Sequence, residues 1–432
     1  MLDFSYFKYK THLLTLTSNQ TNFRGSQSCV GKIVCCSTSG ESSMTIVAVN
    51  AHAPISSGEI PTTDPRRATD VEYKQQQVIS LLEAHNQDAL LLQSPENMAW
   101  FTAGAELTRA GSNNPCAAVF ITPDARLIAC SNVDANQIFD RAIPGLGFQI
   151  KTRPWHEPLS QLVRDLCKGR NVASDTGVEG TLNLSDELRT LRFPFTELEG
   201  ERIRELGKLV SHAVEATARR VERGNTEQEI AGCLSHRLLK HGVNPRRLQV
   251  MADGQSIRYR HWGYGEDRLE RYCVISAVGS QNGLHAAATR TVSLGKPPSS
   301  IIKSHHLALL MQATGMYFSK PDWALFDTWN RVKRIYEKYD CPDEWQHADQ
   351  ADIMGYQSAE TSILINSEFK FQPGMAAFWH PSVGPAMTGD TILIEENETI
   401  MITPMEQWPA AKIMVKENQL SLPDILILPD AD

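Results

Sequence analysis

Apolar and polar positions along this chain fall into helical and strand-like patterns only after about residue 70. Residues 1–68 are rich in Ser, Thr and Asn with little periodicity, and read as a disordered or loosely attached segment. From Val71 to His85 apolar residues recur at helical spacing, and Ala89–Leu92 is a short apolar run suited to a buried strand. Ala117–Ile121 and Arg126–Cys130 flank Thr122-Pro123-Asp124-Ala125, which predicts a hairpin closed by a Pro-Asp turn. Leu159–Lys168 is amphipathic, and another strand begins at Asn171. Strands alternating with helices over 69–196 predict a small α/β domain.

The pattern then lengthens. Glu197–Arg223 carries Leu198, Ile203, Leu206, Val210 and Val214 near one face, which predicts one long helix stopped by Gly224-Asn225. Thr226 with Glu229 three residues on is a capping-box signature for the next helix. Strand pairs follow, 274–278 with 288–294 and 376–379 with 390–394 and 399–403. Helices are expected near 303–318 and 324–339. His305-His306 open the first of these and read as surface residues.

Composition narrows the function classes. A net charge of −8 in 432 residues argues against nucleic acid as the main partner, since phosphate binding rests on Lys and Arg. No run of 18 apolar residues exists, so no membrane span is expected. Nine scattered cysteines without C-x-x-C spacing indicate neither a zinc site nor a disulfide framework. With no apolar leader-like stretch at the N-terminus, the expected location is the cytoplasm.

Five motifs occur in order. They are Gly224-Asn225-Thr226-Glu227-Gln228-Glu229-Ile230-Ala231, then the Val274–Gly295 segment VISAVGSQNGLHAAATRTVSLG, then a helical pair, Gln372-Pro373-Gly374-Met375, and Gly389-Asp390-Thr391-Ile392-Leu393-Ile394. Together they resemble the catalytic domain of the creatinase/prolidase/methionine-aminopeptidase family, the pita-bread fold of peptidase family M24. Met98–Gly104 (MAWFTAG) is similar to the N-terminal domain of the creatinases, prolidases and aminopeptidase P. The resemblance implies an α/β N-terminal domain (69–196) followed by an α+β pita-bread domain (197–432), and a homodimer.

The resemblance also implies a two-metal centre with five ligand positions, and here those positions are altered. The two aspartates fall on Ser276 and Ala287, the histidine on Tyr356 or Ser358, and the glutamates on His380 and Gly389. One imidazole and one phenol do not replace bridging carboxylates for two divalent ions, so no metal or other cofactor is expected. Creatinase is a metal-free precedent in the family. Its glutamates, however, correspond here to Thr289 and His380, so its reaction does not carry over.

Three functional expectations follow. The first is a metal-independent hydrolase or lyase for a small polar, carboxylate-bearing substrate. In it His261 or His380 moves protons and Arg290 or Arg109 holds the anion, with Ser276, Tyr356 and His285 lining the pocket. The second is an inactive relative that binds a small ligand or a protein partner. The third is a divergent metal-dependent Xaa-Pro peptidase drawing on other carboxylates and imidazoles, His347, Asp349 and Asp352 among them. The plainer reading of His347–Asp352 is a solvated loop.

Overall fold

The computed structural model describes residues 64–363 and 367–429. Most of the segment expected to be loosely attached lies outside them, but Arg66–Ala68 already belong to helix α1 (Arg66–Ala84).

The first sheet has the order β4-β3-β2-β1-β5-β6 and is mixed. Its strands are β1 (Ala89–Leu92), β2 (Ala117–Thr122), β3 (Ala125–Ser131), β4 (Gln149–Arg153), β5 (Val172–Ser174) and β6 (Leu182–Asn183). Thr122 pairs with Ala125, leaving Pro123-Asp124 as the two-residue turn the sequence predicts. Every residue of β1 is buried, as its unbroken apolar run requires. Helices α2 (Pro95–Phe101), α4 (Leu159–Cys167), α5 (Ser185–Arg192) and a single turn, α3 (Ala135–Gln137), complete this part.

Helix α6 (Glu197–Ala218) opens the second part and α7 (Glu227–Lys240) follows, each with a full capping box, Thr196/Glu199 and Thr226/Glu229. The α6 pattern runs on to Arg223, but the helix stops at Ala218. The chain then turns through Gly224, whose φ of +84° favours glycine.

The large sheet runs β11-β10-β12-β15-β9-β8-β7. It contains β7 (Asn244–Ala252), β8 (Tyr272–Gln281), β9 (Leu284–Leu294), β10 (Ala351–Met354), β11 (Thr361–Ser362), β12 (Met375–Trp379) and β15 (Gly389–Ile394). A short hairpin, β13 (Ser382–Val383) with β14 (Ala386–Met387), interrupts it. β16 (Thr399–Met401) adds to β15, β17 (Ala410–Val415) pairs with β18 (Asn418–Pro423), and β19 (Leu426–Leu428) adds to β9.

Period-two alternation decides what each face of this sheet does. One face, with Ile275 and Ala288 toward one end and Ala377 and Trp379 toward the other, packs into the apolar cores that hold α6, α7, α8 (Ser299–Phe318) and α9 (Leu325–Lys338). The opposite face carries Ser276 and Thr289, paired across β8 and β9, and Asp352 opposite Phe378, paired across β10 and β12. His305 is not the surface residue expected. It lies on the second turn of α8, 3 % exposed, with Nε2 3.3 Å from the Pro423 carbonyl. Among the described residues no helix is long and apolar enough to cross a membrane.

Candidate functional site

The β8–β9 hairpin turns on Asn282-Gly283, both at positive φ, as a tight two-residue turn demands. This fixes the register, so Ser276 stands opposite Thr289 and Ala287 opposite Val278. The Thr289 hydroxyl donates to Ser276 Oγ at 2.8 Å. β15 continues the same face with Gly389 beside Thr289, and β12 adds Phe378 opposite Thr391. Val278, Ala287, Met354 and Phe378 form an apolar cluster there. A Cβ on Gly389 would lie 2.8 Å from the Phe378 ring, so that ring occupies the space a side chain at 389 would need. The β10 side chain packed against Ala287 is Met354, not the expected Tyr356 or Ser358.

His380 extends the Phe378 side of this face, its ring stacked on Phe378 with centroids 4.7 Å apart. Its Nε2 lies 3.1 Å from Asp352 Oδ2 and 3.9 Å from Asp349 Oδ2, and His261 Nε2 lies 3.1 Å from Asp349 Oδ1. Ser362 Oγ donates to the other Asp352 oxygen at 2.6 Å. Burial raises the Asp352 carboxyl, but the His380 hydrogen bond and charge, with Ser362 and Arg247, outweigh it and hold the group below the usual carboxylate range. Donor atoms of Asp349, Asp352 and His380 all lie within 4.8 Å of one another. They are the residues here whose chemistry suits a single divalent cation.

The loop that carries His261 is tied down from several directions. Gln249 Nε2 donates to the carbonyls of Arg260 and Trp262, Trp262 Nε1 donates to Glu227, and Arg260 reaches Glu344 and the Gly384 carbonyl. His261, Ser276 and His380 thereby share one cavity with Arg247, Arg260 and Asp349. Its free volume, about 10 Å³, is room for about one water molecule.

The other expected site residues lie elsewhere. Arg290 is one residue out of phase with Thr289, so it points through the sheet to the helix side. There Nε meets Glu215 at 3.0 Å and Nη1 meets Asp390 at 2.8 Å, and the side chain is fully buried. Its donors are already used, which removes it as a holder of substrate. Tyr356 has left β10, and its hydroxyl donates to Glu199 at 2.5 Å, inside a buried network with Lys74 and Asp70. Burial pushes that phenol well above its usual range. His285, with Tyr356, Glu96, Glu106 and Arg246, lines a separate cleft of about 400 Å³ near the hairpin tip. Burial pulls the His285 imidazole down to about 4. Arg109 is exposed and paired with Asp134 at 2.8 Å.

Sequence reasoning missed Arg247 and Arg260 as residues of this cavity, and it named Asp349 and Asp352 only as alternative metal ligands. His347–Asp352 is not simply a solvated loop, because Asp352 sits on the fully buried strand β10. The apolar Ala351, Ile353 and Met354 around it were the available signal.

Known proteins bear on this geometry. Residues 201–405 match the model of metallopeptidase family M24. An uncharacterised peptidase of Staphylococcus haemolyticus is 21 % identical over 352 residues, 76 % of this chain and 98 % of that protein. A Xaa-Pro dipeptidase of Pyrococcus horikoshii is 22 % identical over 263 residues, covering 57 % and 70 %. Among solved structures, a Xaa-Pro dipeptidase from Bacillus anthracis superposes with a TM-score of 0.67 at 16 % identity, over 83 % of this chain and all of that one. The large sheet with its backing helices is thus a pita-bread domain behind a prolidase-type N-terminal domain, and residues 201–405 match metallopeptidase family M24.

Proposed function

We propose that this chain is a hydrolase of small amide-type substrates that works through two His–Asp pairs in place of the family's two-metal centre. The observation that carries the reading is the buried His380–Asp352 pair, 3.1 Å apart, whose His380 lines the same narrow cavity as Ser276 and the His261–Asp349 pair. Two metal ions do not fit the family's ligand positions in this chain. Ser276, Ala287, His380 and Gly389, with Met354 packed against Ala287, offer one hydroxyl, one imidazole, one thioether and no carboxylate, around an apolar cluster.

In this reading Asp352 orients the His380 imidazole and stabilises its charged form, leaving the other ring nitrogen for proton transfer. The cavity has space for one water molecule. His380 takes a proton from that water as it adds to the substrate carbonyl, then returns it to the departing amine. The dipeptidase names of the relatives support a small amide substrate.

The test is turnover of a dipeptide panel, Xaa-Pro included, by chelator-washed protein. Turnover is expected to persist in chelator and to fall roughly 10²- to 10⁴-fold in His380→Ala, the range for a general acid–base group. Two bound equivalents of manganese, cobalt or zinc per chain, required for turnover, would restore a two-metal peptidase. The narrowness of the cavity favours a second reading, a domain that binds without reacting. It predicts no turnover of any panel member.

A further inference from the structure

The cleft of about 400 Å³ at the tip of the β8–β9 hairpin shares no lining residue with the sheet cavity that holds Ser276 and His380. Its volume lies in the range of small-ligand sites, about 300–1,000 Å³. Its walls come from both parts of the chain: α2 with Ala99, the segment after it with Leu107, β7 and the start of β9. The charged side chains that line it are Glu96, Glu106 and Arg246, and their pairing leaves one charge over. Glu106 faces Arg246 at 3.8 Å and takes the Asn244 amide at 3.2 Å. Arg246 also donates through Nε to Ser280 Oγ at 2.7 Å.

Glu96 is matched by no cation. Its Oε1 accepts from the neutral Gln357 amide at 2.7 Å, and among the described residues no Lys, Arg or His lies within salt-bridge distance of it. Nor is it needed to cap α2, where Asp175 already takes the N–H groups of Gln93 and Ser94 and the Asn97 amide. His285 adds an acceptor without adding charge. Its Nδ1 lies 3.2 Å from the Gly355 carbonyl and so carries the proton of the neutral ring, which leaves Nε2 with a lone pair. Burial holds that imidazole neutral at pH 7 by pulling its pKa down to about 4.

We propose that this cleft is a second ligand site, separate from the hydrolytic one, which takes a small primary ammonium compound with an apolar body. Glu96 supplies the counter-charge, Glu106 and His285 accept further N–H groups, and Leu107 and Ala99 receive the body. One positive charge leaves the lining neutral. An anion would meet Glu96 unopposed, since Arg246 is committed to Glu106 and Ser280. Three donors on one nitrogen suit acceptors that stand on three different walls.

The experiment is binding, read without turnover. Benzylammonium chloride is titrated into the full chain and followed by calorimetry and thermal shift, with sodium chloride holding ionic strength constant. Benzyl alcohol, without the charge, and sodium benzoate, with the opposite charge, form the other arms. Benzylammonium is expected to bind saturably and to raise the melting temperature, with benzyl alcohol clearly weaker and benzoate unbound. Glu96→Gln keeps the acceptor for Gln357 but loses the charge. It is expected to bind benzylammonium about tenfold more weakly, the size of one lost charge-assisted hydrogen bond, and to melt with the wild type when no ligand is present. Glu96→Lys sets a cation in the cleft and is expected to abolish binding. His380→Ala, in the other cavity, is expected to bind as the wild type does.

The proposal is overturned if benzylammonium does not bind, if benzyl alcohol or benzoate binds as tightly, or if either Glu96 variant binds as the wild type does. It is equally overturned if Glu96→Gln melts well below the wild type, which marks a structural carboxylate. Binding lost in His380→Ala overturns it too, because the ligand then sits in the sheet cavity. Binding that depends on Glu96 and not on His380 supports the site whether or not any dipeptide is turned over, so the hydrolase reading stands or falls by its own test.

Discussion

Replacing Arg290 with methionine separates a structural arginine from a ligand-holding one. The guanidinium links Glu215 of α6 at 3.0 Å to Asp390 of β15 at 2.8 Å and also donates to the Thr289 and Thr403 carbonyls. Both carboxylates are at most 1 % exposed. Methionine roughly fills the volume but leaves buried Asp390 without its cation and Glu215 with only Arg219, 3.5 Å away. Breaking a buried pair in this way costs about 3–5 kcal/mol. At about 2–4 °C per kcal/mol for a domain of this size, the melting temperature falls by roughly 6–20 °C.

The loss has a pH signature. Burial already holds the Asp390 carboxyl above its ordinary range even with Arg290 present. Without the arginine Asp390 is pushed further toward its neutral form, so the gap between variant and wild type narrows as pH falls from 7 toward 5. The assay is urea and thermal unfolding by circular dichroism at both pH values. A variant as stable as wild type at pH 7 would refute this reasoning.

Two further outcomes are expected. Burial pulls His285 and His305 down to about 4, against an ordinary value of 6.5. Their folded pKa is depressed, so their contribution is complete above about pH 6.5 and is lost as pH falls toward 4. At pH 5 that loss is about 2 kcal/mol for each histidine, and urea midpoints of His305→Gln should fall less between pH 7 and pH 5 than those of the wild type. Gly315 on α8 lies so close to Trp379 that an added Cβ would meet its ring at 2.4 Å, and that ring is pinned by Nε1 donating to Ser319 Oγ at 2.9 Å. Gly315→Ala should therefore destabilise by about 1–3 kcal/mol through overpacking, offset by up to about 1 kcal/mol of helix propensity. The tryptophan emission should shift with it, and a stabilised variant with unchanged emission would contradict the packing.

Local rules wrote much of this protein into its sequence. The unbroken apolar run of β1, the Pro123-Asp124 turn and the Thr226/Glu229 capping box each depend on a few neighbouring residues, and each forms as the pattern predicts. The 274–294 hairpin was legible in the same way, because its strands and turn follow from alternation and a local Asn-Gly. Which partners a side chain meets was decided by tertiary structure. Asp352 meets His380 only because β10 pairs with β12, across a gap that includes β11 and a loop. In the sequence Arg290 is eligible as the holder of an anion and Arg247 carries no signal. Yet Arg290 falls one residue out of phase with Thr289 and is consumed by Glu215 and Asp390, while Arg247 lands on the cavity face that Asp349 shares. Strand periodicity fixes that side chains alternate, but the pairing of distant strands and the seating of helices choose which face is core and which is pocket.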